Sequence, residues 1–190
     1  MRKVRIDLSG FFTNRGLQPP GTTGDYGFNI WSNTFPAEEL PPAGTVADVA
    51  GVPFSFPPDA ATGDNIRCRG QVIALPAGDW DWIYLIGAAE RRTEDQVELR
   101  YRDGSVRPAW LRMSDFWPET PVRFGEPLAF RTRSMRYPRH THQNHAPALW
   151  QQRIGIAEPG NLSAVRLPDN PAMHVFALTL VADEEARCAR

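Results

Sequence analysis

The 190 residues carry 21 basic and 22 acidic side chains, a formal net charge of −1. So even a balance leaves no electrostatic footprint for nucleic acid or an anionic membrane, and no stretch approaches the roughly 20 apolar residues that span a bilayer. Eighteen prolines and fifteen glycines beside ten phenylalanines and six tryptophans describe short extended segments broken by turns, in a length suited to one hydrophobic core.

The chain opens on Met1-Arg2-Lys3-Val4-Arg5-Ile6-Asp7-Leu8, which alternates like a strand and has no apolar signal core. The expectation is a soluble protein, cytoplasmic as written, or extracellular if the domain has been excised from a larger secreted enzyme. Cys68 and Cys188 match no metal or redox spacing and read as free thiols.

Apolar, β-branched or aromatic runs follow at Val4–Leu8, Thr45–Val49, Val52–Phe56, Val72–Leu75, Trp80–Ala88 and Gln96–Tyr101. They continue at Val106–Met113, Leu128–Met135, Ala148–Ile156, Ala164–Leu167 and His174–Val181. Asp103-Gly104 predicts a two-residue hairpin turn, and Ala50-Gly51 a second hairpin, with Pro53 marking an edge strand or strand start. Three irregular stretches separate these runs: Phe11–Pro42, with a short helical turn at Pro36–Leu40, then Ser114–Glu126 and Tyr137–Pro147. The pattern predicts an all-β fold, an antiparallel two-sheet jelly-roll sandwich with long irregular loops. It occupies 1–182 as one domain and leaves 183–190 as a disordered tail.

The order of motifs resembles the accessory β-sandwich domains, of the galactose-binding-like fold, that accompany bacterial glycoside hydrolases. It is carried by Val4-Arg5-Ile6-Asp7-Leu8-Ser9, Asn14-Arg15-Gly16-Leu17, Phe28-Asn29, Phe35-Pro36-Ala37-Glu38-Glu39-Leu40-Pro41 and Gly51-Val52-Pro53-Phe54. Further matches are Asp64-Asn65-Ile66, Leu85-Ile86-Gly87-Ala88-Ala89, Tyr101-Arg102-Asp103-Gly104-Ser105, Ser114-Asp115-Phe116-Trp117 and the closing His174–Leu180. Residues 118–163 depart from the simpler members, as a family-specific insertion or loop-rich part. The resemblance implies a carbohydrate context; it also implies a calcium ion near a chain end, for which Asp7, Asp25, Asp64 and Asn65 are oxygen ligands on offer.

Sugar recognition needs flat apolar faces beside amides, carboxylates and guanidinium groups. Asp25, Tyr26, Asn29, Trp31 and Asn33, around Phe28, supply that mixture, and the alternative is a loop pinned to the sandwich by its aromatics. Trp117, Arg139 and Trp150 are the other ligand-binding residues expected, because irregular sequence flanks them. Trp80, Trp82 and Tyr84 share one face of a strand, and the apolar residues between them favour a core stripe. His140, His142 and His145 crowd one segment, and a third-party ligand such as His174 or Asp169 would complete a transition-metal site. Arg136 and Arg139 oppose a cation there, which leaves a polar or subunit-contacting loop as the alternative. Asp115 would orient a catalytic histidine, or pair with Glu119.

The functional expectation is a noncatalytic carbohydrate-binding domain or small subunit associated with a glycosidase. A metal-dependent sugar-active enzyme using the three histidines is a second reading. An assembly domain that self-associates through Arg131, Arg133, Arg136 and Arg139 is the third.

Overall fold

The computed structural model describes residues 1–59, 62–117 and 119–183. Among them the strands are β1 (Arg2–Ile6), β2 (Leu17–Gln18), β3 (Phe35–Pro36), β4 (Val46–Val49), β5 (Val52–Ser55), β6 (Ile66–Arg67), β7 (Val72–Ala74) and β8 (Trp82–Ala89). Then come β9 (Thr93–Tyr101), β10 (Val106–Met113), β11 (Leu128–Arg131), β12 (Ser134–Arg136), β13 (Thr141–Gln143), β14 (Ala148–Gly155), β15 (Leu162–Arg166) and β16 (Met173–Ala182). The protein is an all-β sandwich. A six-stranded sheet in the order β1-β16-β8-β14-β11, with β6 also on β16, faces a four-stranded sheet in the order β10-β9-β15-β7. From β6 onward the chain keeps crossing between these sheets, and within either of them only β9 and β10 form a tight hairpin.

One core lies between the sheets, where Ile83, Leu85, Leu178 and Leu180 meet Val97, Leu99, Leu111 and Val165. A second lies on the opposite face of the six-stranded sheet, where Ile86, Phe176 and Val181 are covered by Phe28, Phe35 and Phe54 from the β2–β5 region and by Phe116 and Met135. That double covering explains why every residue of β16 is buried and why β8 reads as apolar on both faces. A bulge between Val175 and Ala177 lets Phe176 and Ala177 both face the second core.

The Ala50-Gly51 hairpin forms as expected, with both residues at positive φ (48° and 79°) and Val49 paired to Val52. The other hairpin differs from its expectation. Gly104 (φ 85°) donates to Tyr101 and Tyr101 donates to Ser105, so the loop has three residues, a turn closed by a glycine bulge. The run Leu128–Met135 is split between β11 and β12, which belong to different sheets. The segment 118–163 is not all peripheral, since β14 sits between β8 and β11. Of the expected tail, Asp183 alone is described, and its N–H donates to Asp81; Cys188 lies outside the described residues.

Trp80 and Trp82 do not share a face. Trp80 precedes β8 and is buried in the core between the sheets with its Nε1 donating to Pro76, whereas Trp82 packs on the second core under the Arg153 guanidinium. Cys68 is a buried free thiol whose burial pushes its pKa far up, so it behaves as a small core residue.

Candidate functional site

The site is built where three loops meet above the second core. The first is the turn 28–33. Asn29 Oδ1 accepts from Trp31 N (3.0 Å) and Asn33 N (3.1 Å), while Phe28 N donates to Asn33 O. Such side-chain closure is what asparagine brings to a turn. It buries Asn29 and Asn33 and leaves Ile30 and Trp31 at the tip, 72% and 55% exposed. Phe28 anchors the turn, its ring packed on His174, Phe35, Phe116 and Phe176.

The second loop follows β10. An isolated bridge joins Ala89 to Asp115, with Phe116 N donating to Ala89 O, and so brings Asp115-Phe116-Trp117 beside Glu90. Asp115 Oδ1 accepts from Trp117 N at 2.9 Å, and its backbone oxygen accepts from Trp150 Nε1 at 2.9 Å. The third is the turn of the β12–β13 hairpin, which contributes Tyr137.

Together Trp31, Asn33, Glu90, Asp115, Phe116, Trp117 and Tyr137 line a pocket of about 530 Å³. A cavity of that size, mostly apolar with a few polar groups, is the usual form of a small-molecule site. Burial raises the Asp115 carboxyl above its ordinary range against the hydrogen bond from Trp117. Burial also pushes Glu90 up, but His174 and the Arg67 guanidinium outweigh it and hold the carboxyl below its usual value.

Glu90 is the outer end of a buried polar chain. Its Oε1 meets Arg67 at 2.5 Å and His174 Nε2 at 3.4 Å. His174 Nδ1 lies 2.8 Å from Asn65 Oδ1, and Asn65 Nδ2 donates to Asp64 Oδ1 at 2.7 Å. Both ring nitrogens of His174 thus face acceptors, Nδ1 the Asn65 amide oxygen and Nε2 the Glu90 carboxylate. Asp64 also accepts from Gly16 N and Leu17 N at 2.9 Å, tying the segment before β2 to the network. Burial lowers the His174 pKa against the pull of Glu90, and burial raises Asp64 to about 6 despite its three donors.

Of the expected ligand-binding residues, Trp31, Asn33 and Trp117 come together in this pocket. Asn29 shapes the turn from within. Tyr26 lies elsewhere, under the Arg15 guanidinium and hydrogen-bonded to it; Asp25 and Arg139 are exposed and line no part of the pocket. Trp150 is 4% exposed, a core residue of β14, and it acts on the site only by holding Asp115.

Of the three expected metal ligands, His142 and His145 meet, their ring centroids 4.1 Å apart, while His140 is held on Tyr137. His145 packs edge-on to Trp117 and lies 3.8 Å from Glu119, and His140 stacks flat on Tyr137. They back the pocket's aromatic walls, and among the described residues no three His, Cys, Asp or Glu side chains are grouped to hold a metal ion. His174, the third ligand proposed for them, is fully buried in the polar chain. The calcium ligands are dispersed as well. Asp7 accepts from Ser9 N, which lowers its pKa, while Asp64 and Asn65 are engaged as above. Arg136, an expected interface residue, is already bound to Glu38 and the Gln18 carbonyl.

Glu90 and Tyr137 were not singled out by the sequence. The one available signal for Glu90 was its position as the first charge after a strand apolar on both faces.

No curated protein matches the chain significantly. The model of a family described as the AziU2-like β-sandwich domain matches residues 2–184, nearly the whole length, and the chain belongs to that family.

Proposed function

We propose that this is a noncatalytic carbohydrate-binding domain, acting as a module or small subunit beside a glycoside-processing enzyme, with its site in the Trp31–Trp117–Tyr137 pocket. The observation that carries the reading is the meeting of four aromatic side chains with Asn33, Glu90 and Asp115 around one pocket. Rings of this kind cover the C–H face of a sugar, and carboxylate oxygens accept from its hydroxyls. Calorimetric titration of a panel of mono- and oligosaccharides tests it. Saturable heat that disappears in Trp31→Ala and survives in Trp110→Ala, which removes an exposed ring outside this pocket, supports the reading. Silence across the panel from folded protein sinks it.

One observation favours a second reading. Ile30 and Trp31 are exposed side by side next to Arg91 and Arg92 in an adjoining cleft, the mixture of apolar and arginine side chains found in protein interfaces. Light scattering separates the two, since a tip buried in a dimer contact cannot also form the open wall of a sugar pocket.

A further inference from the structure

The pocket's charged inventory is one-sided. Asn33 is 2% exposed; its Nδ2 faces Met135 Sδ at 3.7 Å and its Oδ1 is closed off without a partner, so the amide shapes the wall rather than meeting a ligand. Asp115 keeps Oδ2 with one long contact, 3.5 Å from Thr120. Both partners of Glu90 meet Oε1, and its Oε2 has no hydrogen bond among the described residues. The Trp117 indole N–H is turned away to Glu119, and the donors that remain in the lining are the neutral Trp31 N–H and Tyr137 O–H. The charged groups of the lining are thus the two carboxylates, and among the described residues no lysine or arginine lines the cavity. Around these acceptors stand Trp31, Trp117 and Tyr137, whose ring faces attract a cation.

We infer that the pocket selects a protonated amine carried on a compact apolar or sugar ring, with the ammonium between the Asp115 and Glu90 carboxylates and the ring against the aromatic walls. An ammonium has three donors and no acceptor, the complement of the two carboxylates. It would also supply Asp115 with the counter-charge that its burial denies it; the Arg91 side chain contributes only at a distance, making no hydrogen bond to the carboxylate among the described residues. The inference deepens the carbohydrate reading, for which the ligand is then an amino sugar, and it rests on that reading for the sugar ring alone.

The test is calorimetric titration of the full chain at pH 7 with glucosamine, glucose, N-acetylglucosamine and cyclohexylamine. Glucosamine should bind about tenfold tighter than glucose or N-acetylglucosamine, the size expected of a partly desolvated cation–aromatic and ion contact. In Asp115→Asn, whose Oδ1 can still accept from Trp117 N, that ratio should fall to about threefold or less, and in Trp110→Ala it should stay unchanged. Binding of cyclohexylamine without any sugar would uphold amine selection and end the carbohydrate reading. Equal binding of glucose and glucosamine would overturn amine selection and leave the carbohydrate reading standing. No heat with any of the four would overturn both.

Discussion

The six-stranded sheet is buried on both faces, but by different means. Toward the four-stranded sheet its cover is regular structure, and the contacts are mostly aliphatic, with Phe12, Trp80 and Tyr101 among them. Toward the β2–β5 region its cover is loops and short hairpins, which carry the phenylalanine cluster, the buried His174–Asn65–Asp64 chain and the pocket. A sheet can seal an apolar face because its own backbone groups are paired. A loop cannot, and each of its unpaired N–H groups needs a side chain to meet it. The polar residues under the loop-covered face answer that need, and the same irregular backbone gives room for a cavity. The core between the sheets and the candidate pocket thereby lie on opposite faces of one sheet.

The largest effect that tests this division is predicted between the sheets. Leu85→Ala should destabilise the fold by about 2–5 kcal/mol, because a fully buried leucine leaves a cavity that rigid sheets cannot close. Denaturant melts would measure it, and binding by the fraction still folded should be unaltered. On the loop side, Asp64→Ala strands Gly16 N and Leu17 N and should cost about 2–3 kcal/mol. Hydrogen exchange would place that loss in the segment before β2, whereas uniform loss across both sheets would erase the distinction between the faces.

Titration sharpens the contrast next. The pKa of Asp64 is raised in the fold, so its contribution is complete below about 3.8 and is lost as the pH rises through about 6. That of His174 is lowered, so its contribution is present above 6.5 and is lost as the pH falls below that value. The stability difference between the wild type and His174→Gln should therefore shrink as the pH drops from 7 to 5, read from urea melts at each pH. A constant difference would mean that His174 takes up its proton equally in the folded and the unfolded chain. The smallest effect on stability belongs to the tip: Trp31→Ala should change it by less than about 0.5 kcal/mol, while removing ligand binding.

These two faces were unequally legible in the sequence. The sandwich strands announced themselves through β-branched and aromatic runs, and the Ile83–Ile86 stretch of β8, apolar on both faces, already favoured a place in the core. The loop face was read in fragments. Trp31, Asn33 and Trp117 were found because turn-forming polar residues beside rings are visible locally. Trp150 was misjudged because irregular sequence on its N-terminal side hid that β14 lies inside the sheet. The histidines looked like ligands because their spacing is visible and their stacking on Trp117 and Tyr137 is not. Glu90 stayed hidden because its place depends on the bridge from Ala89 to Asp115, and nothing in either segment encodes that pairing.

The bulge in β16 also decides how one strand serves both faces of its sheet. Because Phe176 and Ala177 both face the loops, the strand consists of two alternating patterns set out of step by one residue. The segment before the bulge carries His174 and answers to the pocket, and the segment after it, Leu178 to Ala182, answers to the core and to β1. The joint works as a phase break between two alternations, and Met173 and Val175 before it reach the same core between the sheets as Leu178 and Leu180 after it.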